Sequence, residues 1–203
     1  MSDLQSPEIP PPSLEQFKGT QFENTYWIKD QSVIQALTDY YITNKKTYGL
    51  EVGFGIEPTR VGLIAPDIDW FFVDPKGFSD AKDILDQVWE EEDCPKENKY
   101  FLPIGASPGL VQNAQTVLYR NLNYNRMGEL VPKRDELRPG QEIVFVIDTT
   151  HVSELDEYKD FLKSKGYDTN DLEQNTGRAF SAARTNNDIG YLFRYKQPEE
   201  STD

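Results

Sequence analysis

The chain has 203 residues, enough for one domain with a sizeable core and short tails. It carries 35 Asp and Glu against 21 Lys and Arg, a formal net charge of −14. That charge opposes direct binding to nucleic acid or to an anionic membrane and favours a basic protein partner, or serves solubility alone. One cysteine, Cys94, and one histidine, His151, exclude an internal disulfide, a cysteine-based zinc site and any multi-histidine metal site.

Residues 1–19 hold Pro7, Pro10, Pro11 and Pro12 among polar residues and read as an extended tail. Residues 20–195 read as a single domain and 196–203 as a second tail. No apolar signal core opens the chain and no window approaches a membrane span, so a cytoplasmic protein is the default.

In chain order, Asp30 or Ser32 can cap a first helix with Val33, Ile34, Leu37, Tyr40 and Tyr41 on one face. Leu50, Val52, Phe54 and Ile56 alternate with Glu51, Gly53 and Gly55, the pattern of a half-buried strand. Gly53 and Gly55 thus fall inside a strand, no lysine follows in register, and no phosphate-binding glycine loop is read. Val61–Ile64 reads as a returning strand and Ile68–Val73 as a third. Ser79 caps a second helix carrying Ala81, Ile84, Leu85, Val88 and Trp89, which Pro95 ends.

Tyr100–Ile104 is a strand that turns on Gly105-Ala106-Ser107-Pro108-Gly109. The run that follows can be a helix with Leu110, Val111, Ala114, Val117 and Leu118 on one face, or a loop leading into a strand. Thr116, Val117 and Tyr119 favour the sheet, so Val117–Asn121 is expected to be extended. Ile143–Ile147 is a buried strand, Ser153 caps a third helix ended by Gly166, and Tyr191–Tyr195 is a last strand. Strands in adjacent runs predict a single α+β domain with a mainly antiparallel sheet and about three amphipathic helices.

Three groups of residues could carry chemistry. Gly105-Ala106-Ser107-Pro108-Gly109 has nucleophile-elbow spacing, with Asp148 and His151 downstream as acid and base. Against it, Pro108 has no N–H for an oxyanion hole, and Ser107 is equally explained as a helix N-cap. Asp67 and Asp69 have strand spacing, with Asp74 beyond, and could hold magnesium, although solvated carboxylates account for them as well. Glu90, Glu91, Glu92 and Asp93 crowd a helix C-terminus against its dipole, as a docking patch for a basic protein or as a frayed last turn.

From Phe78 to Gly166 the order of features resembles the SUKH superfamily of toxin-immunity proteins and cell-wall-assembly regulators. The matching pieces are Ser79–Trp89, Tyr100-Phe101-Leu102-Pro103-Ile104-Gly105, Thr116–Leu122, Glu129-Leu130-Val131 and Ile143–Ile147. The resemblance implies an α+β meander that binds proteins without catalysis; no cofactor is expected. The expected function is therefore a non-catalytic acidic module of immunity-protein, inhibitor or adaptor type. The alternatives are a serine hydrolase using Ser107 and a phage or host structural component.

Overall fold

The computed structural model describes residues 25–53, 68–76, 99–120, 122–147, 155–169, 173–176 and 189–199. Asp30 caps the first helix, α1 (Gln31–Thr43), accepting from the N–H groups of Ser32 at 2.8 Å and Val33 at 3.3 Å. The Ser32 hydroxyl first, then these two N–H groups, hold the Asp30 carboxyl below its usual pKa. Ile34, Leu37 and Tyr41, at helical spacing, bury one face of α1.

Before α1 lies β1 (Thr25–Trp27); after it come β2 (Tyr48–Val52), β3 (Asp69–Val73) and β4 (Lys99–Leu102). The chain then forms α2 (Pro108–Asn113), β5 (Thr116–Arg120), α3 (Tyr124–Met127), β6 (Glu142–Ile147), α4 (Leu155–Ser164), β7 (Glu173–Thr176) and β8 (Ile189–Lys196). Both readings of the central run are thus realised in succession. Ser107 and Pro108 start a helix, and after Ala114 the β-branched and aromatic residues Thr116–Arg120 are extended.

The eight strands form one sheet in the order β1-β4-β3-β2-β5-β6-β8-β7. Every pair from β1 to β6 is parallel, and only β8 runs the other way, antiparallel to β6 and to β7. This corrects the expected mainly antiparallel sheet: the fold is a mostly parallel α/β sheet. Parallel neighbours need a crossover of a dozen or more residues, which residues 53–68 between β2 and β3 supply. The SUKH resemblance fails on the same ground. A meander would pair β4 with β5, yet β3 and β2 stand between them.

Register places Tyr48, Leu50 and Val52 on one face with Phe71, Val73, Val117 and Tyr119. These join Ile34, Leu37 and Tyr41 of α1, Leu110 and Val111 of α2 and Leu162 of α4 in one apolar cluster. The other face is buried as well: Trp70, Phe72, Phe101 and Leu118 are inaccessible. Phe72 stacks on Phe101 at 4.4 Å and 8°. Strands buried on both faces are the rule in parallel sheets.

Gly49 sits under the Trp70 indole. A Cβ built there would stand 2.6 Å from two indole carbons, closer than any real contact. Both residues are in central strands, so the ring has little room to retreat. Gly49→Ala is expected to cost about 1–3 kcal/mol as overpacking. The check is urea unfolding: the midpoint should fall while the slope m stays constant.

Candidate functional site

After β2 the chain goes outward to β3 and β4, then returns to place β5 on the other side of β2. The order therefore reverses between β2 and β5. At such a switch point the crossovers diverge to opposite sides and leave a crevice outside the carboxyl ends of the strands, where open α/β sheets bind ligands.

Gly53 follows the last residue of β2 and has φ +72, a left-handed conformation that a side chain would strain. Its N–H donates to the Val73 carbonyl at 2.9 Å, which holds the turn against the end of β3. No described atom lies within 4 Å of where a Cβ would stand. Among the described residues, nothing fills the space beside the main chain there.

Asp74 follows the last residue of β3. It is half-buried, and its Oδ1 accepts from the Lys76 N–H at 2.7 Å, an Asx turn that sets the carboxylate's direction. Its own N–H donates to Leu102 O at 3.3 Å, so the ends of β3 and β4 are level. Glu51, two residues before Gly53, is fully buried, and Arg120 closes β5 at 7 % exposure.

The opposite edge of the sheet is tied shut. The Tyr41 hydroxyl donates to Asp69 Oδ2 and lies 3.4 Å from the Tyr100 hydroxyl. Burial first, then Tyr100 and Asp69, push the Tyr41 phenol far above its ordinary pKa, so it stays a neutral donor. Tyr48 Oη donates to Leu110 O at 2.7 Å, and the Gln115 N–H to Tyr48 O at 2.8 Å.

The residues singled out from sequence fall into three places. Ser107 is an exposed N-cap: its Oγ accepts from the Leu110 N–H at 3.3 Å and Pro108 takes the first helical position. Asp148 and His151 lie outside the described residues, as do Asp67, Glu90, Glu91, Glu92 and Asp93. Asp69 and Asp74 stand at opposite ends of β3, about 16 Å apart at ~3.3 Å per residue. Among the described residues no three His, Cys, Asp or Glu side chains gather as a metal site. No helix among them is long and apolar enough to cross a membrane.

What the sequence reading missed is Gly53. The signal was there: a glycine pair, Gly53-Phe54-Gly55, after an apolar run, with an acidic residue about 20 positions on. Alternation of Phe54 and Ile56 with the glycines concealed it.

No protein-family model and no curated protein matches the chain. Among solved structures, an antibiotic-related methyltransferase is similar at 14 % identity, covering 78 % of this chain and 94 % of its own, with a TM-score of 0.47. A 16S rRNA adenine methyltransferase from Catenulisporales acidiphilia, solved with its cosubstrate SAM, is 14 % identical over 82 % of this chain and 93 % of its own, TM-score 0.45. A precorrin-6y C5,15-methyltransferase from Geobacter metallireducens is 17 % identical over 84 % and 90 %, TM-score 0.45. With scores below 0.5, the strand order itself is the ground on which the fold rests. The parallel sheet removes the SUKH meander on which the expectation of a non-catalytic immunity, inhibitor or adaptor module rested.

Because Ser107 caps α2, Ser107→Ala should lower stability by about 0.5–2 kcal/mol. A fluorophosphonate probe should leave Ser107 unlabelled, checked by mass spectrometry of the treated protein beside its thermal melt.

Proposed function

We propose that this protein is a methyltransferase that binds S-adenosylmethionine at the switch point between β2 and β5. The observation that carries the reading is the reversal of strand order there, with Gly53 left-handed just past β2 and Asp74 just past the adjacent β3. Nucleoside ligands use these two positions in doubly wound sheets. The glycine turn lets the ligand approach the main chain, and the acidic residue on the next strand accepts from ribose hydroxyls.

The choice among nucleoside ligands follows from charge. A dinucleotide asks for a third glycine at position 58 and for a surrounding that tolerates pyrophosphate. Here position 58 is Pro58, with Glu57 before it. Glu51, Glu57 and Asp74, in a chain of net charge −14, oppose a pyrophosphate and suit a ligand that carries a cation. S-adenosylmethionine is such a ligand, and it supplies an electrophilic methyl group on a sulfonium.

Asp74 would hold the ribose, its carboxylate aimed by the Asx turn to Lys76. Gly53 would leave the approach open, since its left-handed turn carries no side chain into the space. Burial of Glu51 in β2 places a carboxyl group within the sheet at the base of the turn. The level ends of β3 and β4 give these groups a rigid floor.

The test is calorimetry with a thermal melt in parallel. S-adenosylmethionine and its demethylated product should bind and raise the melting temperature, by linkage to the folded state, whereas NAD should do neither. Asp74→Asn keeps the carbonyl oxygen that accepts from Lys76 but removes the charge. It should weaken binding roughly 10- to 150-fold, as for loss of a hydrogen bond to a charged group worth about 1.5–3 kcal/mol. Binding of NAD alone, or no binding of either, would overturn the reading.

A further inference from the structure

The chain as a whole has 35 acidic and 21 basic side chains. One groove of about 650 Å³ inverts that ratio: Lys133, Arg134 and Lys165 line it against a single carboxylate, Asp135. Among the described residues none of the three cations is in an ion pair. A local excess of positive charge on an acidic protein is not what solubility asks for.

The groove lies at the edge of the sheet away from the switch point. Tyr195, which forms part of its wall, pairs with Ile143 near the start of β6, whereas the proposed nucleoside site lies beyond the strands' carboxyl ends. Lys165 and Gly166 come from the chain just past α4, and Arg134 opens the 3₁₀ turn Arg134–Glu136.

Arg134 is held in place from three sides. Its N–H donates to Lys165 O at 2.9 Å. Its Nε donates to the Tyr195 hydroxyl at 3.0 Å, and its guanidinium carbon stands 5.2 Å from the centre of the Tyr195 ring. The Tyr195 hydroxyl in turn donates to Gln197 Oε1 at 2.9 Å, so the ring is fixed as well. A guanidinium anchored through Nε keeps its two terminal nitrogens as a planar fork, the geometry that matches carboxylate and phosphate oxygens.

We propose that this groove binds the oxyanion of a small molecule, a phosphate or a carboxylate, between the Arg134 fork and the ammonium groups of Lys133 and Lys165. The ligand is small because the same chain repels a polyanion. Screening confines every surface charge to a reach of about 8 Å at physiological ionic strength, so the three cations act only within the groove and the acidic excess behind the net charge of −14 acts wherever a longer ligand extends past it. A compact anion feels the three cations; an extended one meets the rest of the protein.

The experiment is a titration of the ¹⁵N-labelled full chain, at constant ionic strength, with inorganic phosphate in one arm and citrate in the other. It is run without any methyl donor, so its outcome is separate from that of the nucleoside site. Saturating shifts at the amides of Lys133, Arg134, Lys165 and Gly166 are expected. Arg134→Gln should abolish saturation, and Arg134→Lys, which keeps the charge but not the fork, should weaken it roughly 3- to 10-fold. Lys165→Gln serves as the second variant if Arg134→Gln melts early. Saturation by phosphate alone or by citrate alone assigns the anion. Shifts that stay linear in both arms, or saturation unchanged by Arg134→Gln and Lys165→Gln, would overturn the proposal.

Discussion

The parallel pairing of β2 with β3 on one side and β5 on the other is the constraint from which the rest follows. β3 and β4 follow on one side of β2 while β5 and β6 follow on the other, so the order reverses between β2 and β5, where open α/β sheets bind ligands. The pairing needs Gly49, because the Trp70 ring occupies the space a side chain would take. A glycine in a central strand costs conformational entropy, and here packing against a fully buried indole offsets it.

The two edges of the sheet have different duties. At the amino ends, Tyr41, Asp69, Tyr48, Leu110 and Gln115 are joined by hydrogen bonds that a neutral, buried phenol can maintain across the ordinary pH range. Such satisfied polar groups specify how α1 and α2 sit on the sheet. At the carboxyl ends, β2 gives way to a left-handed glycine and β3 to an aspartate whose direction is set by a local turn. Rigidity at one edge lets the other carry open main chain and an oriented carboxylate.

Much of the secondary structure was legible in the sequence, and the direction of pairing was not. Asp30 and Ser107 are caps because their short oxygens reach orphan N–H groups, a local event that local sequence records. Gly166 ends α4 at φ +86 for an equally local reason. Pairing direction depends on where a crossover lands, which periodicity does not encode. One clue was present. Trp70-Phe71-Phe72-Val73 and Ile143–Ile147 are continuous apolar runs, as strands buried on both faces are, and a meander with one wet face would alternate. The alternation from Leu50 to Ile56 suggested a single strand, but β2 stops at Val52, and Gly53 belongs to the turn. β7, Glu173-Gln174-Asn175-Thr176, has no apolar pattern at all and pairs because β8 offers it an edge.

The central claim, a nucleoside cofactor seated at the reversal of strand order, is tested most directly by mapping where S-adenosylmethionine protects the chain from hydrogen exchange. The account predicts slowed exchange at the amides of Gly53, Asp74 and the residues just beyond β4 and β5, with the tied edge around Tyr41, Asp69 and Tyr48 unchanged. Protection confined to that tied edge, or none at a saturating concentration, would contradict it.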